Sequence, residues 1–143
     1  MNFRTVEDFD VSGKRVVVRE DLNVPMKGGI VGDPTRVLAA LETLKYLRDR
    51  GARTIVLSHL GRPDGKAVAA LSLRPVAAAL AKRLGTPVAF ADDCVGPPAE
   101  AAVAALRDGD VLLLENVRFH PEEEANDPAF AKRLASLGDF YVN

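Results

Sequence analysis

Basic side chains follow three of the apolar segments of this chain, at points where each segment gives way to a loop. Arg19 closes the first segment, His59 and Arg62 come just after the second, and Arg118 lies beyond a later one. A guanidinium group presents a planar fork of N–H donors that matches phosphate and carboxylate oxygens, and an imidazole can add a further donor. These residue types therefore favour the binding of a small anion that carries several charges.

The loop after the first segment adds polar groups to the basic ones. In the run REDLNVP, alternation along an extended chain would place Arg19, Asp21 and Asn23 on one side, and Pro25 stiffens the exit. Asp and Asn in these positions can bind a substrate hydroxyl. Taken alone, the segment favours an Asx-type turn, which is common after strands.

The second and third loops are each weak signals when considered separately. SHLGRP places His59 and Arg62 on either side of Gly61, where they could contact a phosphate, but an ordinary surface loop has the same composition. Arg118 could be a solvated arginine, and His120 is expected to be structural or exposed. The run of Glu122, Glu123 and Glu124 is expected to form a solvated face rather than a metal site, so no metal is predicted.

Arg36 differs because it is predicted in the first turn of a helix that Asp33 caps and Pro34 opens. The unpaired backbone N–H groups of that turn already favour an anion. A basic side chain there opposes the helix dipole, at a cost of about a few tenths of a kcal/mol. This position suggests a functional arginine, although an exposed arginine without a role is the alternative.

Strand-like segments alternate with helical ones along the chain, and this alternation sets where the loops meet. The pattern predicts an α/β fold: a parallel sheet of about five strands with helices on both faces, a Rossmann-like three-layer sandwich. Ligands of such sheets bind at the carboxyl ends of the strands, where all of these loops would lie. The predicted strands are 14–19, 53–58, about 86–91, 110–115 and 139–143, and the predicted helices are 33–51, about 72–84, 97 to about 108, and one from 127–128.

Composition excludes several classes of protein. The 143 residues suit one domain, and the net charge of -1 gives no general attraction to nucleic acid or to an anionic membrane. The single Cys94 allows no intrachain disulfide and is expected to be a small buried or half-buried side chain. No apolar run approaches the roughly 20 residues of a membrane span. The chain lacks a Gly-rich Lys-Ser/Thr phosphate loop, a Gly-x-Gly-x-x-Gly fingerprint and a nucleophile elbow, so no nucleotide site is predicted in it.

The same loops carry a family resemblance over essentially the whole chain. GKRVVVREDLNVP, GDPTRV, SHLGRP, LLENVRFHPEEE and DFYVN occur in this order. They resemble successive motifs of the phosphoglycerate kinases, and the combination of SHLGRP with ENVRF is highly specific. The resemblance implies a monomeric glycolytic phosphotransferase that converts 1,3-bisphosphoglycerate and ADP into 3-phosphoglycerate and ATP. The first ten residues include acidic side chains and lack the apolar core of a secretory signal, so a cytoplasmic protein is expected.

The resemblance also implies a role for each matching residue. Asp21 and Asn23 would bind the glycerate hydroxyl, and three basic residues would hold the phosphate that is not transferred. Arg36 would stabilise the phosphoryl group in flight and is the implied catalytic residue. The basic residues are His59, Arg62 and Arg118, and the backbone at Leu22, Leu60 and Gly61 would line the same pocket.

Two departures from the family pattern affect these expectations. Glu20 stands where relatives often carry a small or apolar residue, and strand alternation should point it away from the site. The family continues beyond DFYVN, so residues 1–143 are expected to be an incomplete N-terminal, 3-phosphoglycerate-binding domain. Mg-ADP and Mg-ATP would bind a second domain, and this chain alone is expected to be inactive.

Two other functions fit the same loops. One is a stand-alone, non-catalytic module that binds a phosphorylated metabolite or partner. The other is a structural α/β domain whose loop arginines are solvated. Titration with 3-phosphoglycerate separates the kinase domain and the stand-alone module, which should both bind it, from the structural domain, which should not.

Overall fold

Five short apolar segments form one parallel sheet, with helices between them. The structure is a computed structural model, and it describes residues 9–28 and 30–142. Its elements, in chain order, are β1 (Arg15–Arg19), β2 (Met26–Lys27), β3 (Ile30–Val31), α1 (Thr35–Asp49), β4 (Arg53–Leu57), α2 (Arg74–Leu84), β5 (Val88–Ala91), α3 (Pro97–Ala104), β6 (Val111–Leu114), α4 (Pro121–Glu124), α5 (Pro128–Ala135) and β7 (Phe140–Val142).

The strand order of the main sheet is β5-β6-β4-β1-β7, and every neighbouring pair is parallel. β4 lies at the centre, and the register pairs Val17 of β1 with Ile55 of β4. Because all five strands run in the same direction, the loops that follow them emerge at one edge. The predicted α/β class and parallel sheet are confirmed.

The helices cover both faces of the sheet, as the three-layer prediction requires. On one face, α1 and α2 enclose a core with β4 and β6 around Val56 and Leu113. On the other face, α3 and α5 enclose a second core around Ile55 and Leu112. Neighbouring residues of a strand point to opposite faces, so apolar residues in a row bury both sides of β4 and β6.

Glycines end the first two long helices where the sequence places them. Gly51 and Gly85 have φ angles of +78° and +73°, in the left-handed region that glycine adopts at low cost. The start of α1 shifts slightly from the prediction, while α3 and α5 begin where predicted. Asp33 accepts hydrogen bonds from the amide and hydroxyl of Thr35, at 3.0 and 2.6 Å, so the helix begins at Thr35 rather than at Pro34.

Three short elements were not predicted. β2 and β3 form a small antiparallel hairpin, and each has only two residues, too few for a periodic pattern. The four residues of α4 also escape a period of 3.6. The predicted alanine-rich helix is shorter than expected, since α3 ends at Ala104, and the final Asn143 of the predicted fifth strand lies outside the described residues.

No helix in the residues that the structure describes is both long and apolar enough to cross a membrane.

Candidate functional site

Ser58 connects the loops that follow the three central strands. It comes directly after β4, and its side chain is fully buried. Its hydroxyl accepts a hydrogen bond from the amide of Leu22, 2.9 Å away, and its carbonyl accepts one from the amide of Val117, at 3.1 Å. The loops after β1, β4 and β6 therefore form one connected edge.

Asn116 is a second buried connector, and sequence reasoning did not identify it. It is 1% exposed, and its Nδ2 donates to the carbonyls of Leu60 at 2.8 Å and Leu71 at 3.0 Å. Its Oδ1 accepts from the amide of Arg118 at 3.0 Å. A buried amide with its donors and acceptor all used sets the path of both loops. The only signal in the sequence was an asparagine just after a strand.

Asp21 and Asn23 form the expected turn and also contact Arg36. The amide of Asn23 donates to Asp21 Oδ1 at 3.2 Å, which is the Asx-type turn favoured by the sequence alone. Arg36 Nη1 donates to the carbonyl of Asn23 and lies 3.4 Å from Asp21 Oδ1. The side chains of Arg36 and Asp21 are about half exposed or more, so this ion pair can exchange one partner for a ligand.

Asn23 also links this turn to the loop after β4. Its Oδ1 accepts a hydrogen bond from the amide of Gly61 at 2.8 Å. Gly61 has a φ of +62°, and a Cβ added there would lie 2.7 Å from Leu71 Cδ2. The amides of Leu22 and Gly61 are thus engaged within the protein. Their backbone shapes the edge rather than offering free donors, and Nδ2 is the polar group of Asn23 left for a ligand.

Arg62 follows Gly61 and is exposed. Among the described residues its side chain makes no ion pair or hydrogen bond. The fold brings its backbone next to Asn23, but the structure does not direct its guanidinium group at the other basic residues.

His59 is half-buried within a group of charged side chains. Burial lowers the pKa of His59 below its ordinary value, and the positive charges of Arg118 and Arg19 lower it further. The carboxylates of Asp21 and Glu123 act in the opposite direction. His59 is therefore mostly neutral at pH 7, in a region of net positive potential that an anion would relieve.

Arg118 has an unpartnered donor in this region. Its Nε is buried and, within residues 9–28 and 30–142, has no hydrogen-bond partner. The nearest carboxylate oxygen, Glu124 Oε1, lies 4.0 Å away. A buried N–H without an acceptor is costly, and it marks a place where an external oxygen would stabilise the protein.

Arg19 and Glu123 enter the site in a way that sequence reasoning did not predict. Their side chains form an ion pair of 2.5 Å, and Glu123 is 14% exposed. The expectation that the whole glutamate run is a solvated face is therefore wrong for Glu123. The run starts α4, where carboxylates are stabilised by the helix dipole, and that places Glu123 opposite Arg19. The pair lines one end of a cleft of about 520 Å³ that extends along α5 to Tyr141.

The structure thus joins most of the predicted residues at one sheet edge. Hydrogen bonds and an ion pair connect Asp21, Asn23, Arg36 and Gly61, and electrostatic interactions connect His59 with Arg118 and Asp21. Arg62 alone is placed nearby by the backbone without a side-chain contact.

Comparison with known proteins gives the family of the chain. The sequence model of the phosphoglycerate kinases matches residues 6–143. The chain belongs to the phosphoglycerate kinase family. A phosphoglycerate kinase of Bradyrhizobium diazoefficiens is 59% identical over 141 residues, covering 99% of this chain and 35% of that protein. One from Granulibacter bethesdensis is 57% identical over 143 residues, covering 100% of this chain and 36% of that protein.

A solved structure gives the same result for the fold. The phosphoglycerate kinase of Coxiella burnetii superposes with a TM-score of 0.86 at 38% identity, over 98% of this chain and 34% of that one. The chain spans about a third of the length of the relatives it matches. The family resemblance of the loop motifs is confirmed.

Proposed function

We propose that this chain supplies the 3-phosphoglycerate-binding part of a phosphoglycerate kinase, which transfers a phosphoryl group between 1,3-bisphosphoglycerate and ADP. The observation that carries the proposal is the buried, unpartnered Nε of Arg118 in the positive region around His59. A phosphate oxygen would give that N–H an acceptor and would compensate the charges that lower the pKa of His59.

Each side chain has a role that fits its position. His59, Arg62 and Arg118 hold the phosphate that is not transferred, and exposed Arg62 closes over it from solvent. Asp21 and the Nδ2 of Asn23 bind the glycerate hydroxyl. The backbone of Leu22, Leu60 and Gly61, whose hydrogen bonds are satisfied internally, gives the pocket its shape.

Arg36 is the proposed catalytic residue, at the reacting end of the substrate. Its contact with the carbonyl of Asn23 keeps the guanidinium at the sheet edge in the absence of ligand. Its exposed ion pair with Asp21 costs little to rearrange. A positive group beside the transferring oxygens stabilises the charge of the transition state. In the direction of ATP use the attacking group is a carboxylate, which is already ionised near neutral pH and needs no general base.

The two acidic residues of the proposed site do not favour a Mg-nucleotide there. The carboxylates of Asp21 and Glu123 are paired with Arg36 and Arg19 rather than free for a magnesium ion. Mg-ADP and Mg-ATP therefore belong, in this proposal, to parts of the enzyme outside this chain. Positioning and charge stabilisation by Arg36 are what this chain contributes.

Calorimetric titration of the chain with 3-phosphoglycerate at low salt tests the binding. Arg118→Ala and Arg36→Ala should each weaken binding by at least about tenfold, because each removes a charge-assisted contact. Arg107→Ala is the matched control, since Arg107 is an exposed arginine between α3 and β6, at the opposite edge of the sheet. Equal binding by Arg118→Ala and the wild type would refute the assigned phosphate site.

The chain alone is proposed to lack kinase activity, because the two substrates would sit on different domains that must close on each other. A coupled assay that detects ATP formation from 1,3-bisphosphoglycerate by the pure chain would contradict this. The complete enzyme is proposed to be a cytoplasmic monomer. A stand-alone binding module would show the same titration, and the coding sequence that follows the Asn143 codon separates the two.

A further inference from the structure

A second group of side chains meets at the same sheet edge, outside the proposed substrate site. Asp93 and Cys94 follow β5 and His120 follows β6, and one ligand atom from each lies within 4.8 Å of the other two. Cys94 is 1% exposed, while the side chains of His120 and Asp93 are 29% and 37% exposed. A thiol, an imidazole and a carboxylate thus lie close together, and the imidazole and the carboxylate are partly exposed to solvent.

We propose that Asp93, Cys94 and His120 bind a divalent transition-metal ion of the Zn²⁺ type. Zn²⁺ accepts sulfur, nitrogen and carboxylate oxygen in one tetrahedral site, and three protein ligands leave the fourth position for water. The mixed ligand set argues against Mg²⁺ and Ca²⁺, which prefer oxygen ligands alone. Sequence reasoning missed this site because the ligands come from two loops far apart in the chain.

The loop after β5 holds its carboxylate ready for such an ion. Asp93 Oδ1 accepts hydrogen bonds from the amides of Cys94 at 2.7 Å and Val95 at 3.4 Å, and it lies 2.7 Å from His120 Nε2. The two amides and the His120 ring all contact Oδ1, and the thiol of Cys94 also interacts with this carboxylate through the proton that a metal would displace. An ion would take the place of the direct contact between Asp93 and His120.

Glu122 provides an independent observation. Its Oε2 is buried, has no hydrogen-bond partner among the described residues, and lies 3.9 Å from His120 Nδ1. A histidine that binds a metal through one ring nitrogen usually donates the other N–H to a carboxylate. When Nε2 of His120 binds the metal, Nδ1 must carry the proton, and Glu122 is the adjacent acceptor. Metal binding therefore explains an otherwise unsatisfied buried oxygen.

Metal binding would change both the thiol and the loop next to the substrate site. In the metal-free protein, burial and the charge of Asp93 raise the pKa of the Cys94 thiol, so the ion must displace its proton. Once bound, the ion would link the loop after β5 to the loop that carries Arg118, two residues before His120.

Titration of the untagged, metal-free chain with Co²⁺ tests the proposal, because Co²⁺ reports on a Zn²⁺ site by its absorption. One equivalent should produce the visible bands of tetrahedral Co²⁺ and a near-ultraviolet thiolate-to-cobalt band. Cys94 is the only cysteine, so that band identifies it without any mutation. One equivalent of Zn²⁺ should abolish both signals, and a large excess of Mg²⁺ should leave them unchanged.

Variants then assign the remaining ligands. His120→Gln should weaken Zn²⁺ binding by at least about tenfold, and Glu122→Gln by about tenfold with the cobalt spectrum retained. His59→Gln is the matched control, since His59 is the only other histidine, and it should bind the metal as the wild type does. Co²⁺ binding without a thiolate band, or equal Zn²⁺ affinity in wild type and His120→Gln, would overturn the proposal.

Discussion

Gly65→Ala tests whether the loop after β4 depends on close backbone packing against α4. Gly65 has a φ of +75°, and an added Cβ would lie 2.8 Å from Cβ, 3.0 Å from Cα and 3.1 Å from N of Pro121. Two of these atoms belong to the backbone at the start of a helix, and His120, the preceding residue, is held by Asp93. The clash therefore cannot be relieved by turning a flexible side chain.

The expected loss of stability has two parts. A left-handed alanine costs about 1–2 kcal/mol, and overpacking against atoms that cannot retreat adds about 1–3 kcal/mol. Gly85→Ala is the matched control, because Gly85 has a φ of +73° and nothing within 4 Å of the added Cβ. Gly85→Ala should show the first part alone.

Urea unfolding of the wild type and both variants measures the difference. Gly65→Ala should have the lower midpoint, with an unchanged dependence of the unfolding free energy on urea. If the two variants lose the same stability, the contact between Gly65 and Pro121 contributes nothing and the reasoning is refuted. In that case the loop after β4 is not held by α4.

Two further predictions concern the site, and a third concerns Glu20, which follows β1. Asn116→Ala leaves the carbonyls of Leu60 and Leu71 without donors, so it should cost roughly 2–4 kcal/mol in urea unfolding; an unchanged midpoint would show that these hydrogen bonds are dispensable. Binding of 3-phosphoglycerate should raise the pKa of His59, as measured by NMR, because the anion offsets the charge of Arg118, which lowers that pKa. Without ligand, the lowered pKa of His59 means that the protein loses stability as the pH falls below the ordinary histidine value of 6.5. His59→Gln should not show this loss. Burial raises the pKa of Glu20, so the stability of the protein falls as the pH rises through that pKa. Glu20→Gln should therefore have a higher urea midpoint than the wild type at pH 7 and a similar midpoint at pH 4. Equal midpoints at pH 7 would contradict this.

The fold was largely predictable because its signals are local. The apolar runs of β1 and β4 and the glycines after α1 and α2 are each visible within a few residues of sequence. Strand order was not predictable, since it depends on pairings between distant segments, such as β5 with β6 and β1 with β7. The β2–β3 hairpin was missed because two-residue strands carry no periodicity.

The meeting of the basic loops at one edge of the sheet was predictable, but the contacts between their side chains were not. Parallel strands bring their carboxyl ends to one edge, and that rule alone placed His59 near Arg118. No comparable rule reveals that Asn116 bonds two carbonyls from another loop, or that Glu123 pairs with Arg19. Such contacts depend on side-chain geometry after the loops have folded. The ligand roles of the predicted residues stay predictions.

The position of β1 has a consequence for how the chain reaches its native state. β1 is made early in synthesis but lies inside the sheet, between β4 and β7. At the start of β1, the amide of Arg15 donates a hydrogen bond to the carboxylate of Asp139, 124 residues away in the sequence. Contacts so distant in sequence require the closure of a large loop and form slowly. During translation β1 can pair on one side with β4 while its other side waits for β7, so the surroundings of β1 are complete only after β7 has been made.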